Sequence, residues 1–170
     1  MARERVCEVK QMILYHGSNI EVREPHLLKI QRDLDFGKGF YTTSDLNQAV
    51  SWAKRTTRIR GTGKPCVSVY EISDGEMEKL TIRRFAAADY AWLDYVAMNR
   101  RGNAAPEETD LVIGPVANDQ TFPTILLYLD GYISAETAIQ NLLTQKLKDQ
   151  YTFKTDRALS LLRCTEVMAV

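Results

Sequence analysis

The sequence predicts an α+β fold built from short elements, and three observations carry that prediction. Short apolar and β-branched runs at residues 12–15, 66–72 and 110–113 are bounded by Gly, Pro, Asn or Asp, the punctuation of strands. Between them, residues 46–53, 86–100 and 134–147 carry apolar side chains three and four apart, the period of an amphipathic helix. A chain of 170 residues that is 45% hydrophobic supplies one ordinary core. A single domain over 12–170 is therefore expected.

Residues 1–11 are charged and weakly patterned, and they read as a tail or a poorly ordered lead-in. The run at 12–15 reads as a buried strand entering a turn at His16, Gly17, Ser18 and Asn19. Residues 19–38 read as a helix of one or two turns or an ordered loop, with Leu27, Leu28, Ile30 and Leu34 as the contacts available for burial. Two glycines then flank Lys38, and Phe40, Tyr41, Thr42 and Thr43 have strand-favouring side chains. Ser44 reads as the N-cap of a helix with Leu46, Ala49, Val50 and Ala53 on one face.

Asp74 and Gly75 mark a turn, residues 80–82 a strand, and 86–100 a helix whose apolar face holds Tyr90, Leu93, Val96 and Ala97. Residues 110–113 read as a central strand stopped by Gly114 and Pro115. Residues 116–120 form a polar loop, and after the segment 122–129 Ser134 caps another amphipathic helix. Residues 150–153 form a further strand. Asp156 opens a last helix, and residues 164–170 add an edge strand.

Composition excludes several classes of function. Twenty-two basic residues balance twenty-two acidic ones, so nothing global draws the chain to nucleic acid or anionic lipid. No apolar run approaches the roughly 20 residues of a membrane span, and the N-terminus has no signal-peptide pattern, so a soluble, cytoplasmic protein is expected. Cys7, Cys66 and Cys164 are scattered and accompany only two histidines, which predicts reduced thiols and no metal site. One local patch stands out: Lys54, Arg55, Arg58, Arg60 and Lys64, without an acid among them. It is either a solvated helix end whose cations complement the macrodipole or a nucleic-acid contact.

His16, Gly17 and Ser18 after an apolar strand, then Phe36, Gly37, Lys38, Gly39, Phe40 and Tyr41 leading into a helix, resemble the ADP-ribosyltransferase superfamily. The similarity is to its H-Y-E branch, that of diphtheria toxin and the poly(ADP-ribose) polymerases, and to small bacterial domains of unknown function of that fold. It is dense over residues 12–53 and thin from there to about 148. The resemblance implies two packed antiparallel or mixed β-sheets flanked by helices, with NAD as a consumed substrate and no metal. It implies that His16 and Ser18 bind ribose hydroxyls, that Gly17 offers its backbone to the nicotinamide carboxamide, and that Tyr41 and Trp52 clamp the nicotinamide ring. Trp52 as a packing residue is the alternative.

The third family position, a glutamate in most members, falls on Gln150. An amide there hydrogen-bonds a ribose hydroxyl but cannot take a proton from an acceptor, so the resemblance implies transfer of single units rather than chains. Asp119 or Asp149 is a candidate substitute base. The expected activity is mono-ADP-ribosylation of RNA or protein by a bacterial toxin or effector, with an antitoxin or inhibitor protein as a further partner. The alternatives are an inactive NAD- or ADP-ribose-binding module and an interaction scaffold of the same fold.

Overall fold

A computed structural model describes residues 10–29, 31, 34–103, 108–117, 121–144 and 146–170. Along them run β1 (Gln11–Ser18), β2 (Phe40–Thr43), α1 (Leu46–Arg60), β3 (Cys66–Ser73), α2 (Asp74–Met77), β4 (Ile82–Arg84) and α3 (Tyr90–Arg100). There follow β5 (Leu111–Pro115), α4 (Phe122–Leu129), α5 (Ala135–Leu143), β6 (Asp149–Phe153), α6 (Asp156–Leu159) and β7 (Arg163–Ala169). The class is α+β, as the alternation of periods predicts.

The expectation of two packed sheets is corrected. Among the described residues the strands form one mixed seven-stranded sheet in the order β4-β5-β6-β2-β1-β3-β7, antiparallel except for the parallel β4–β5 pair. The sheet is nevertheless weakly joined at one place. β1 pairs with β3 along its whole length, from Gln11↔Ser73 to Ser18↔Cys66, but meets β2 only at Tyr15↔Thr43. One ladder position holds the halves β4-β5-β6-β2 and β1-β3-β7 together.

Side chains alternate between the faces with the period of two that a pleated strand imposes. On one face, Leu14, Phe40, Tyr70, Ile72, Leu111, Ile113, Tyr151 and Phe153 make a core closed by Met77 of α2 and Ala158 and Leu159 of α6. On the other face, α1 sets Ala49 and Ala53 on Val67, and α3, α4 and α5 set Trp92, Val96, Ile125 and Leu142 on Val112.

Local departures from the expected elements have local causes. The turn expected at His16 is absent, because pairing with β3 keeps residues 16–18 extended. Asp45, not Ser44, caps α1: its carboxylate accepts from the Gln48 amide at 2.9 Å and pairs with Lys148 at 3.2 Å, and Leu46 is left exposed. Ser73 and Glu76 form a capping box that turns the expected Asp74–Gly75 turn into the one-turn helix α2. Asp89 starts α3 later than its apolar spacing suggests and buries Trp92 while exposing Tyr90. The described part of 19–38 is an ordered loop without a helix, and the strand expected at 80–82 begins at Ile82. The lead-in before residue 10, Cys7, Ile30 and Asp119 lie outside the described residues. Among those residues no helix is long and apolar enough to cross a membrane, and no group of three or more His, Cys, Asp and Glu could hold a metal ion.

Candidate functional site

A cavity of about 410 Å³ opens where β1 and β2 part, and its size lies in the range of small-molecule sites. His16, Gly17, Ser18, Tyr41, Trp52 and Gln150, singled out from three distant segments of sequence, all line it. Ile20, Val22, Leu28 and Leu34 of the 19–38 loop add an apolar wall.

His16 spans the weak seam of the sheet. Its Nδ1 donates to the Tyr41 carbonyl at 2.7 Å, and its ring stacks on Phe40 with centroids 4.2 Å apart. A carbonyl oxygen only accepts, so Nδ1 carries the proton and Nε2 is the acceptor. Burial pushes the imidazole below its ordinary pKa, reinforced by the Arg60 charge and opposed by the Tyr41 hydrogen bond. The neutral tautomer is thereby held, with Nε2 able to receive a hydroxyl proton donor.

Gly17 has a structural reason that its sequence context does not reveal. A Cβ there would lie 1.9 Å from the Ala49 carbonyl oxygen and 2.8 Å from the Ala53 nitrogen, so α1 crosses directly on the Gly17 backbone. That contact sets the height of the helix above the sheet. Trp52, Thr56 and Arg60 follow one another at i, i+4 on α1, and with Arg55 they reach the cavity. Arg60 is anchored by a 2.9 Å hydrogen bond to Asn19 Oδ1. Of the basic run, Arg55 and Arg60 line the cavity; Arg58 does not, and Lys64 borders a smaller depression beside Cys66.

Tyr41 braces the preceding turn. Its hydroxyl donates to the Gly37 carbonyl at 2.6 Å and accepts from the Phe36 amide at 3.0 Å. The turn needs a glycine, since Gly37 has φ of 72°. Burial, with the nearby Asp35 charge, holds the phenol well above its ordinary pKa, so it stays neutral. Ser18 is buried at the end of β1, opposite Cys66.

Gln150 sits on β6 opposite Thr43 of β2 and is 2% exposed. Its Nε2 donates to the Pro115 carbonyl at 3.4 Å, and its side chain lines the cavity with Asp35. Asp35 is itself 5% exposed, accepts from Arg100 Nε at 2.6 Å and from the Ala117 amide at 3.3 Å, and lines the cavity with Arg100. Burial raises the Asp35 pKa, and Arg100 opposes that rise. Arg100 also lies over the Phe122 ring, 4.4 Å from its centroid.

The Asp35–Arg100 pair is the part of the site that sequence reasoning missed. An aspartate ahead of Phe-Gly reads as an ordinary turn former and an arginine at a helix end as a dipole partner; only their burial against each other marks them. Asp149, a candidate base by sequence, is half-buried on β6 and does not line the cavity. Three guanidinium groups against one carboxylate give the lining a cationic balance suited to an anionic ligand.

A family profile described as "Protein of unknown function (DUF3990)" matches residues 12–164, which include every residue of this cavity. No curated protein and no solved structure matches the chain.

Proposed function

The chain belongs to the DUF3990 family, and from the site it carries we propose that it is an NAD-dependent mono-ADP-ribosyltransferase of ADP-ribosyltransferase-like fold. One observation supports this reading above the others: the residues that the resemblance assigns to NAD come from positions 16–18, 41, 52 and 150 and line one cavity.

In this reading the nicotinamide lies between the rings of Tyr41 and Trp52, and the diphosphate faces Arg55 and Arg60. His16 Nε2 accepts from a ribose hydroxyl. The bond between the ribose C1′ and the nicotinamide nitrogen breaks, and its electron pair leaves with nicotinamide. An acceptor nucleophile on a macromolecule then bonds to C1′ and gives up its proton to solvent. The neutral imidazole and the neutral phenol add no positive charge where the oxocarbenium-like centre develops. A cytoplasmic toxin or effector with an RNA or protein acceptor, restrained by an inhibitor protein, fits this activity.

Incubation with NAD labelled in its adenylate half, alone and with cell extract, tests the reading. Transfer of label to protein or RNA, abolished by Trp52→Ala, is the expected result. Free nicotinamide absent from every reaction would overturn it. Gln150 favours a second reading, an NAD- or ADP-ribose-binding module, because its buried amide is tied to the Pro115 carbonyl and is no proton acceptor. Tight binding without turnover is its signature.

A further inference from the structure

Transfer to a neutral nucleophile leaves one proton to be placed, and the residues so far assigned to the reaction do not take it. His16 Nε2 is engaged by a ribose hydroxyl in the transferase reading, and the Gln150 amide is no base. Among the described residues that line the cavity, Asp35 is the single carboxylate. Its two oxygens are not equivalent. Arg100 Nε donates to Oδ1 at 2.6 Å and Arg100 Nη2 pairs with the same oxygen, whereas Oδ2 accepts from the Ala117 amide at a long 3.3 Å. The guanidinium thus fixes the side chain through one oxygen and leaves lone-pair capacity on the other. Arg100 is itself seated over the Phe122 ring, and the neighbouring Tyr41 phenol is neutral. Burial raises the Asp35 pKa against the pull of Arg100, which makes the carboxylate a better proton acceptor than an exposed aspartate.

We propose that Asp35 is a catalytic base of the cavity, taking through Oδ2 the proton of the acceptor nucleophile. The bond between C1′ and the nicotinamide nitrogen breaks and its electron pair leaves with nicotinamide. The acceptor atom bonds to C1′ and its proton passes to Oδ2. Asp35 is then a neutral acid, Arg100 keeps its own proton, and the carboxylate is restored when the proton goes on to solvent. The acceptor class follows: neutral nucleophiles that carry a removable proton, such as a hydroxyl, rather than anions that need no base. The base rests on the transferase reading above, and the experiment separates the two.

NAD turnover in the presence of both methanol and azide, with the products resolved by mass spectrometry, tests it. Methanol loses a proton on bonding to C1′ and azide has none to lose. Asp35→Asn with Arg100→Gln removes both charges, so that no unpaired guanidinium is left to attract azide. Relative to wild type, this double variant shifts the ratio of methyl to azido product toward azide about tenfold or more, whatever its total rate. A purely structural role for the pair lowers the total and leaves the ratio. Where that variant fails to fold, Asp35→Leu with Arg100→Met replaces the pair by apolar side chains of similar size. An unchanged ratio overturns the proposal, and so does an equal shift from His26→Gln, the exposed histidine that also lines the cavity. Wild type that releases no nicotinamide overturns the transferase reading and the base with it, whereas release at an unchanged ratio overturns the base alone.

Discussion

Gly17→Ala separates packing from ligand contact at a residue that both would require. The added Cβ meets backbone, 1.9 Å from the Ala49 oxygen and 2.9 Å from the Ala49 carbonyl carbon, and neither atom can rotate away. A carbon–oxygen approach of about 3.3 Å requires α1 to retreat by about 1.4 Å. That retreat uncovers Ala49, Ala53 and Val67, fully buried in the wild type. Overpacking of a well-packed core costs about 1–3 kcal/mol, and a clash with helix backbone belongs at the upper end, about 3 kcal/mol. For a domain of this size that is a fall of about 9 °C in Tm. In urea, with a slope of about 2 kcal/mol/M, the midpoint drops by about 1.5 M. Urea unfolding followed by circular dichroism measures it. A midpoint within about 0.25 M of wild type would show that α1 does not rest on Gly17 and would refute the packing argument. Because Trp52, Thr56 and Arg60 ride on α1, the same variant also weakens NAD binding without touching any side chain of the cavity.

Four further predictions test other parts of the structure. Asp45→Ala costs about 1 kcal/mol of stability by removing the α1 cap, whereas Ser44→Ala stays within about 0.5 kcal/mol; equal effects in urea would return the cap to Ser44. Burial places the folded His16 below its unfolded pKa of about 6.5, so the unfolded state binds the extra proton and stability present above that pH is lost as pH falls through it. Urea midpoints between pH 5 and 7.5 will therefore fall more steeply for wild type than for His16→Gln, and parallel curves would show that His16 is not held neutral. Charge reversal at Arg60 weakens NAD binding while reversal at Arg58, outside the cavity, leaves it unchanged. If RNA is the acceptor, its binding weakens steeply with salt and Arg58→Glu flattens the slope by about one phosphate contact; salt-independent or absent RNA binding removes that acceptor.

His16 also shows where a reading by segments goes wrong. Placed by sequence at the end of a strand, it would be replaceable with little loss. It lies instead inside β1, stacked on Phe40 and bonded to Tyr41 across the seam that Tyr15↔Thr43 alone closes by backbone pairing. His16→Ala is thus expected to loosen the sheet as well as the cavity, and its loss of activity has to be judged beside its urea midpoint.

The sequence by itself determined the α+β class and most of the element order, and its resemblance to a known superfamily picked out His16, Gly17, Ser18, Tyr41, Trp52 and Gln150. The class and order rest on short-range physics, side-chain period and glycine and proline punctuation, which act within a few residues and so can be read along the chain. Only the tertiary structure decided that the strands form one sheet with a single-pair seam, that Gly17 is needed by a helix 32 residues away in sequence at Ala49, and that the Asp35–Arg100 pair lines one cavity with Gln150. Each of these depends on groups far apart in sequence whose energies appear only when burial removes water from between them. An exposed aspartate and an exposed arginine are ordinary surface residues; the same two, desolvated in the wall of a cavity, must be paired with each other.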